Sequence, residues 1–342
     1  MSHAIVIDRL LQSDEPSIRW KIKVNVLSMD RDSGEIQALE HEIKQSARVK
    51  ALLQHVDASG ILQGSRGVYD KWQGAHWVLM TLADIGYPRR DQALYPMADD
   101  VLKTWLAPRF FNEFVVERKA DVYSHTQDAI PVMEGRHRTC TSQQGNALYS
   151  VLRLGLEDER IHQLAERLRN WQWPDGGWNC DKEPSAHTST FIHTLYSMRA
   201  LALYAQHTGD AESMASARRA AEFFLKRRLY KRASNGTVIA REFVKLHYPL
   251  YWHYDILGAL KIFAEIDFTD DERCTDALDL LEAKALPSGG WPTENRYYKK
   301  VSSEFDLGND YVDWGGTSTR RLNEWMTADA LYVLRRFGRL KN

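Results

Sequence analysis

Apolar residues recur at helical spacing along almost the whole chain. In DERIHQLAERLRNWQ, Ile161, Leu164, Leu168 and Trp171 form one stripe with charges opposite. DERCTDALDLLEAKAL repeats this with Cys274, Ala277, Leu281 and Ala285. Such segments predict amphipathic helices with one wet face. Five others are apolar nearly all round: AHWVLMTLADIG, NALYSVLRLG, TLYSMRALALYAQ, DILGALKIFAEI and ADALYVLRRFG. A helix of that kind must be buried on every side. The two kinds alternate, joined by GYPRRD, GLEDE, HTGDAE and DFTDDE, where Gly and Asp act as helix stops.

The alternation is a weak internal repeat: a buried helix, a short turn, an amphipathic helix and a loop back. The turns align on Gly86, Gly155, Gly209, Asp267 and Gly338. Two return loops carry one signature, WPDGGW ending at Trp178 and LPSGGW ending at Trp291. Repeated helical hairpins build an open solenoid or a closed ring. Two classes of helix favour the ring, so the expected fold is all-α, a single (α/α)6 toroid domain over residues 1–342. Asn235-Gly236 between short β-branched runs predicts one small β-hairpin insertion near residues 228–243.

The motif QWPDGGWN resembles the tryptophan-bearing repeat of squalene and hopene cyclases. The alternating helices look like the α/α toroid of terpenoid cyclases and protein prenyltransferase β subunits. The runs GRHRTCTSQQGNALYSVLRLGL, GGWNCD and LHYPLYWHYDILGALK resemble a bacterial group within that superfamily. The resemblance implies a central cavity that takes a small apolar or isoprenoid-like substrate. It does not imply ordinary class II cyclisation, because the chain has no DxDD. Asp267, Asp270 and Asp271 in DFTDDER have the wrong spacing and sit at a helix–helix turn.

Composition narrows the field. The 342 residues carry a formal net charge of −1, and no basic block marks a nucleic-acid partner. Asp8 and Arg9 interrupt the only candidate leader, and no run of 18 apolar residues would span a membrane. Three cysteines without a leader read as reduced thiols, hence a cytoplasmic location. Eleven Trp and 15 Tyr need a large core or an apolar cavity to face.

Candidate chemistry concentrates in the long loops that precede the all-apolar helices, and long loops in a compact domain are usually functional. Catalytic acid–base candidates are Asp255, with His253 or His247 as partner, and Glu134 and Asp181; Asp255 is expected in the first turn of a helix that begins near Tyr251. Ligand-binding candidates are Trp72, His76, Arg136, His137, Gln144, Tyr251, Trp252, Tyr254, Trp314 and Trp325. Aromatic rings at such a site could face cationic character or stack on sugars. Cys140, Cys180 and His187 form a candidate zinc set, since thiolate and imidazole suit that ion. His193 is the alternative, because its position matches the zinc histidine of the prenyltransferases; the Asp-x-Cys ligands of that family are replaced here by Asn146-Ala147-Leu148. Three functions therefore stand side by side: an enzyme on an isoprenoid-like substrate, a carbohydrate lyase or hydrolase on the same ring, and a non-catalytic binding or scaffold protein. Plainer roles compete at several positions, as helix caps for Ser189, Thr190 and Asp181 and as a loop tie for Asp255.

Overall fold

In the computed structural model, which describes residues 3–64, 67–123, 127–301 and 304–340, the chain turns at five left-handed residues. Gly86 (φ 81°), Gly155 (66°), Gly209 (79°), Asp267 (61°) and Gly338 (68°) occupy the positions where the repeat placed its turns. Around four of them the amide of the following residue donates back to a carbonyl one turn earlier. The pairs are Tyr87 to Leu82 (3.2 Å), Leu156 to Val151 (2.9 Å), Phe268 to Phe263 (2.9 Å) and Arg339 to Leu334 (2.7 Å). This is the left-handed C-cap that satisfies orphan carbonyls, and it requires positive φ.

The described residues form two compact units. One comprises Met1–Ala93 and Arg227–Asn342, the other Leu94–Lys226. In chain order the first unit opens with α1 (His3–Leu11), α2 (Pro16–Trp20), which runs into a π-helical turn at Lys21–Val26, α3 (Gly34–Gln45), α4 (Ala47–Leu52) and α5 (Ala75–Asp84). The second unit holds α6 (Tyr95–Trp105), α7 (Lys119–Val122), α8 (Ser142–Leu154), α9 (Arg160–Asn170), α10 (Phe191–Thr208) and α11 (Ala211–Leu225). The chain then returns to the first unit with α12 (Ile256–Glu265), α13 (Thr275–Ala283) and α14 (Glu324–Arg336). The protein is thus mostly helical. Helix α9 buries Ile161, Leu164, Ala165 and Leu168, the predicted stripe. Helices α5, α10, α12 and α14 are buried over nearly their whole circumference, as their all-apolar sequences require.

One local expectation is corrected, and one element was not anticipated. The insertion at 228–243 does form a small antiparallel hairpin, with the Lys231–Val238 bridge flanked by Ile239 N–H to Tyr230 O (2.9 Å) and Arg232 N–H to Thr237 O (2.7 Å), but the four residues Ala233–Gly236 close it rather than a two-residue turn. The sheet lies elsewhere, in the second unit: β1 (Glu113–Val115) runs parallel to β2 (Ile130–Met133), and β2 turns back antiparallel into β3 (Arg136–His137). Its turn is Glu134-Gly135, with φ of 49° and 69°, the left-handed pair that a tight hairpin needs.

The Gly-Gly-Trp signature has one structural meaning in both units. Trp178 donates its indole N–H to the carbonyl of Leu168 in α9 (2.8 Å), and Trp291 donates to Leu281 in α13 (2.7 Å). Each ring is buried. Each tryptophan amide donates to a threonine hydroxyl on the next buried helix, Trp178 to Thr194 (3.2 Å) and Trp291 to Thr327 (3.0 Å). The glycines allow the approach: a Cβ on Gly177 would lie 2.4 Å from Thr194 Oγ1. The signature therefore ties the end of an amphipathic helix to the start of a buried one. Trp178→Phe takes the indole N–H from the buried Leu168 carbonyl, whereas after Trp291→Phe the Leu281 carbonyl keeps the Lys284 amide at 3.1 Å. Trp178→Phe should lower the unfolding free energy by about 1–3 kcal/mol in denaturant titrations and Trp291→Phe by about 1 kcal/mol, each with an unchanged m-value.

Candidate functional site

In the first unit, the loop before α12 brings His247 and Asp255 together. Asp255 is the N-cap of α12, and its Oδ1 accepts from the amide of Gly258 at 2.7 Å. Its Oδ2 accepts from the amide of His247 (2.9 Å) and lies 2.8 Å from His247 Nδ1. The helix starts at Ile256, not near Tyr251, because Tyr251 is held at φ 42° with its ring buried, which no helix accommodates. Asp255 thus fills the plainer cap-and-tie role and orients a histidine. The carbonyl of Lys245 also faces His247 Nδ1, at 3.4 Å. With two acceptors there, Nδ1 carries the proton and Nε2 the lone pair. That Nε2 is buried, with no hydrogen-bond partner among the described residues.

Aromatic rings surround the pair. His247 packs edge-on against Tyr297 at 4.8 Å and His253 at 5.6 Å. His253 stacks on Tyr297 at 3.6 Å, and burial and the neighbouring His247 push its pKa down to about 3. Trp72 lies 5.6 Å from His253, stacks on Tyr251 at 4.5 Å and donates to the Tyr297 carbonyl at 3.2 Å. His76 packs against Tyr69 and Trp77. Trp314 meets Trp325 edge-on at 5.0 Å, and Trp325 stacks on Tyr248 at 5.2 Å. Trp252 lies beneath the Lys71 ammonium at 4.5 Å, whereas the Tyr254 hydroxyl turns away to the Leu229 carbonyl.

Sequence reasoning missed two features of this unit. The first is Asp310, a buried carboxyl that receives the Tyr251 hydroxyl, the Trp314 indole at 2.6 Å and the Val312 amide at 2.9 Å. Burial raises its pKa despite these donors. Its signal was an acid flanked by aromatics in NDYVDW. The second is a closed ring of alternating charge. Lys21 Nζ lies 2.9 Å from both Asp84 and Asp329, and Lys261 contacts Asp329 at 2.9 Å and also pairs with Asp84. Tyr248 donates to Asp84 at 2.8 Å. Burial alone would raise the pKa of Asp84, but Lys21 and Lys261 outweigh it and hold the carboxyl well below the usual range. The signal was a charge inside largely apolar runs at Asp84, Lys261 and Asp329, since a buried charge must be paired, whereas Lys21 stands between Arg19 and Lys23. A polar cleft of about 440 Å³ in the same unit is lined by Glu15, Arg19, Glu42, Arg48 and Glu324. Its charges pair with one another, Arg19 with Glu42 and Arg48 with Glu15.

The remaining candidates lie in the second unit. Cys140, Cys180 and His193 present ligand atoms all within 4.8 Å of one another. His193 Nε2 is 3.0 Å from Cys180 Sγ, and its Nδ1 is 3.0 Å from Ser142 Oγ. A hydrogen bond with Cys140, together with burial, pushes the Cys180 thiol up to about 12. His187, grouped with the cysteines in the sequence, lies elsewhere: it is exposed, 3.4 Å from the Glu134 carboxylate. The alternative, His193, takes its place because the first turn of α10 packs on the first turn of α8. Glu134 also faces Arg136 at 3.8 Å, His137 pairs with Glu113 at 3.0 Å, and exposed Asp181 caps its own loop at the Glu183 amide. Gln144 is fully buried, with neither amide atom partnered among the described residues.

No family model matches the chain, and no curated protein matches it. Among solved structures it is similar to the type II terpene cyclase MstE from Scytonema in its apo form. Identity is 12%, coverage 94% of this chain and 86% of that one, and the TM-score 0.45. A variant of that cyclase in complex with geranylgeranyl dihydroxybenzoate, its substrate, gives 12% identity, coverage of 95% and 88%, and a TM-score of 0.43. Among the described residues no helix is long and apolar enough to cross a membrane.

Two outcomes are expected. Asp329→Ala leaves two buried ammonium groups sharing one carboxylate. It should cost about 3–5 kcal/mol, read as a fall in the denaturation midpoint. Burial pushes the pKa of His76 down from 6.5 to about 3. Between those values only the unfolded chain takes up the proton, so stability falls as pH drops through that window. The slope from this residue is at most about 1.4 kcal/mol per pH unit. Thermal unfolding from pH 7 to pH 4.5 should fall less steeply in His76→Phe.

Proposed function

We propose that the chain is an enzyme that moves a proton on a small apolar, isoprenoid-like substrate, with His247 as general base and Asp255 as the residue that positions it. The observation that carries this reading is the buried His247–Asp255 contact at 2.8 Å, which leaves Nε2 unpartnered among the described residues. In that arrangement Asp310 gives its proton to a substrate double bond, Nε2 takes a proton from a carbon beside the resulting positive charge, and the C–H electrons form the new double bond. The resulting imidazolium is stabilised by Asp255. The rings of Trp72, Tyr251 and Tyr297 favour an apolar substrate and can face positive charge. The raised proton affinity of Asp310 and the lowered affinity of His253 fit separate acid and neutral roles in one apolar cluster. Glu134 and Asp181 take no part in this reading, which does not need the closed ring of hairpins.

The test supplies a panel of linear isoprenoid alcohols and diphosphates in deuterium oxide and follows products by mass spectrometry. The wild type should form product with solvent deuterium exchange. His247→Gln should reduce the rate by roughly 100-fold, the usual scale of acid–base catalysis, with a melting temperature near that of the wild type. Full activity in His247→Gln, or isoprenoid binding without conversion by the wild type, overturns the proposal.

A further inference from the structure

We infer that Cys140, Cys180 and His193 bind a zinc ion in the second unit and leave its fourth position open to an exogenous ligand, a water or a small thiol or alcohol. The inference is independent of the His247–Asp255 pair. Three ligand atoms from separate parts of the chain converge within 4.8 Å, close enough for one tetrahedral ion after small side-chain adjustments. Two thiolates neutralise the dication, and the imidazole completes a Cys2His set, the ligand number associated with an open position.

The supporting shell favours an ion over incidental packing. Ser142 Oγ accepts from His193 Nδ1 in the tautomer that turns the Nε2 lone pair toward the sulfurs. Cys180 sits in a loop held from three directions. Trp178, two residues before it, is anchored by its indole to Leu168. Asn179 donates to the Thr188 carbonyl at 2.9 Å and accepts from the Asp181 amide at 2.9 Å. Buried Arg138 donates to the carbonyls of Asp181 (3.2 Å) and Ala186 (2.8 Å) while lying over the Trp173 ring at 4.5 Å. Ligands locked by such outer contacts are pre-organised for a metal. Among the described residues no fourth His, Cys, Asp or Glu joins the group, which is why one position is assigned to an outside ligand.

Untagged full-length protein, incubated with excess zinc and desalted, should retain about one zinc per chain by elemental analysis. Cobalt in place of zinc should give visible d–d bands of a tetrahedral site and near-ultraviolet thiolate charge transfer. Cys180→Ser and His193→Ala should each lower zinc retention at least 10-fold, the scale of losing a ligand. His187→Ala and Cys274→Ser should retain it. The wild-type cobalt spectrum does not depend on any variant folding. Metal-free wild type after zinc loading, a cobalt spectrum without thiolate charge transfer, or full retention in Cys180→Ser overturns the inference.

Discussion

An indole N–H donated to the last carbonyls of an amphipathic helix is the contact on which the loop architecture rests. It appears once in each unit, at Trp178 and Trp291, with the same ten-residue reach back to Leu168 and Leu281. A helix C-terminus leaves carbonyls unsatisfied, and a buried one needs a donor. The tryptophan supplies it from a loop that a pair of glycines lets pass close to the next helix. Everything downstream takes its position from that fixed point. Asn179 and Cys180 follow Trp178 directly, and Asn323, the N-cap of α14, donates its amide to the Trp291 carbonyl at 2.8 Å.

Each unit then places polar side chains at the entrance of a buried helix, where the backbone supplies spare donors. Asp255 satisfies the first turn of α12 and holds His247 with the same carboxylate. Ser142, in the first turn of α8, holds His193 from the first turn of α10. In both cases a side chain at the start of a helix orients an imidazole, and in α12 the same carboxylate also caps the helix. This economy lets a nearly all-apolar interior carry ionisable groups without leaving charges unpaired.

Helix identity was legible because it depends on periodicity, a property of neighbouring residues. The five left-handed turns were legible for the same reason, since a stop signal lies within one turn of its effect. The pairing of His247 with Asp255 was half legible: the residues stood close in the chain, but the start of α12 depended on Tyr251 being held left-handed by its tertiary setting. The charge ring was not read, because Lys21, Asp84, Lys261 and Asp329 come from four distant segments and nothing within any one of them names its partners. The choice of His193 over His187 was likewise set by which turn of chain packs on α8, a long-range fact. The sheet of β1 to β3 was missed although Gly135 in EGR, directly after IPVM, marks its turn.

The ring of Lys21, Asp84, Lys261 and Asp329 has equal numbers of each sign in alternating order. Such an arrangement has neither net charge nor a large dipole, so its potential fades much faster with distance than that of a single ion. The surrounding apolar helices therefore sense little of it. A symmetric set of four ions lets a low-dielectric interior contain full charges while remaining electrically quiet. Any imbalance in that set would turn a local bond into a field felt across the whole unit.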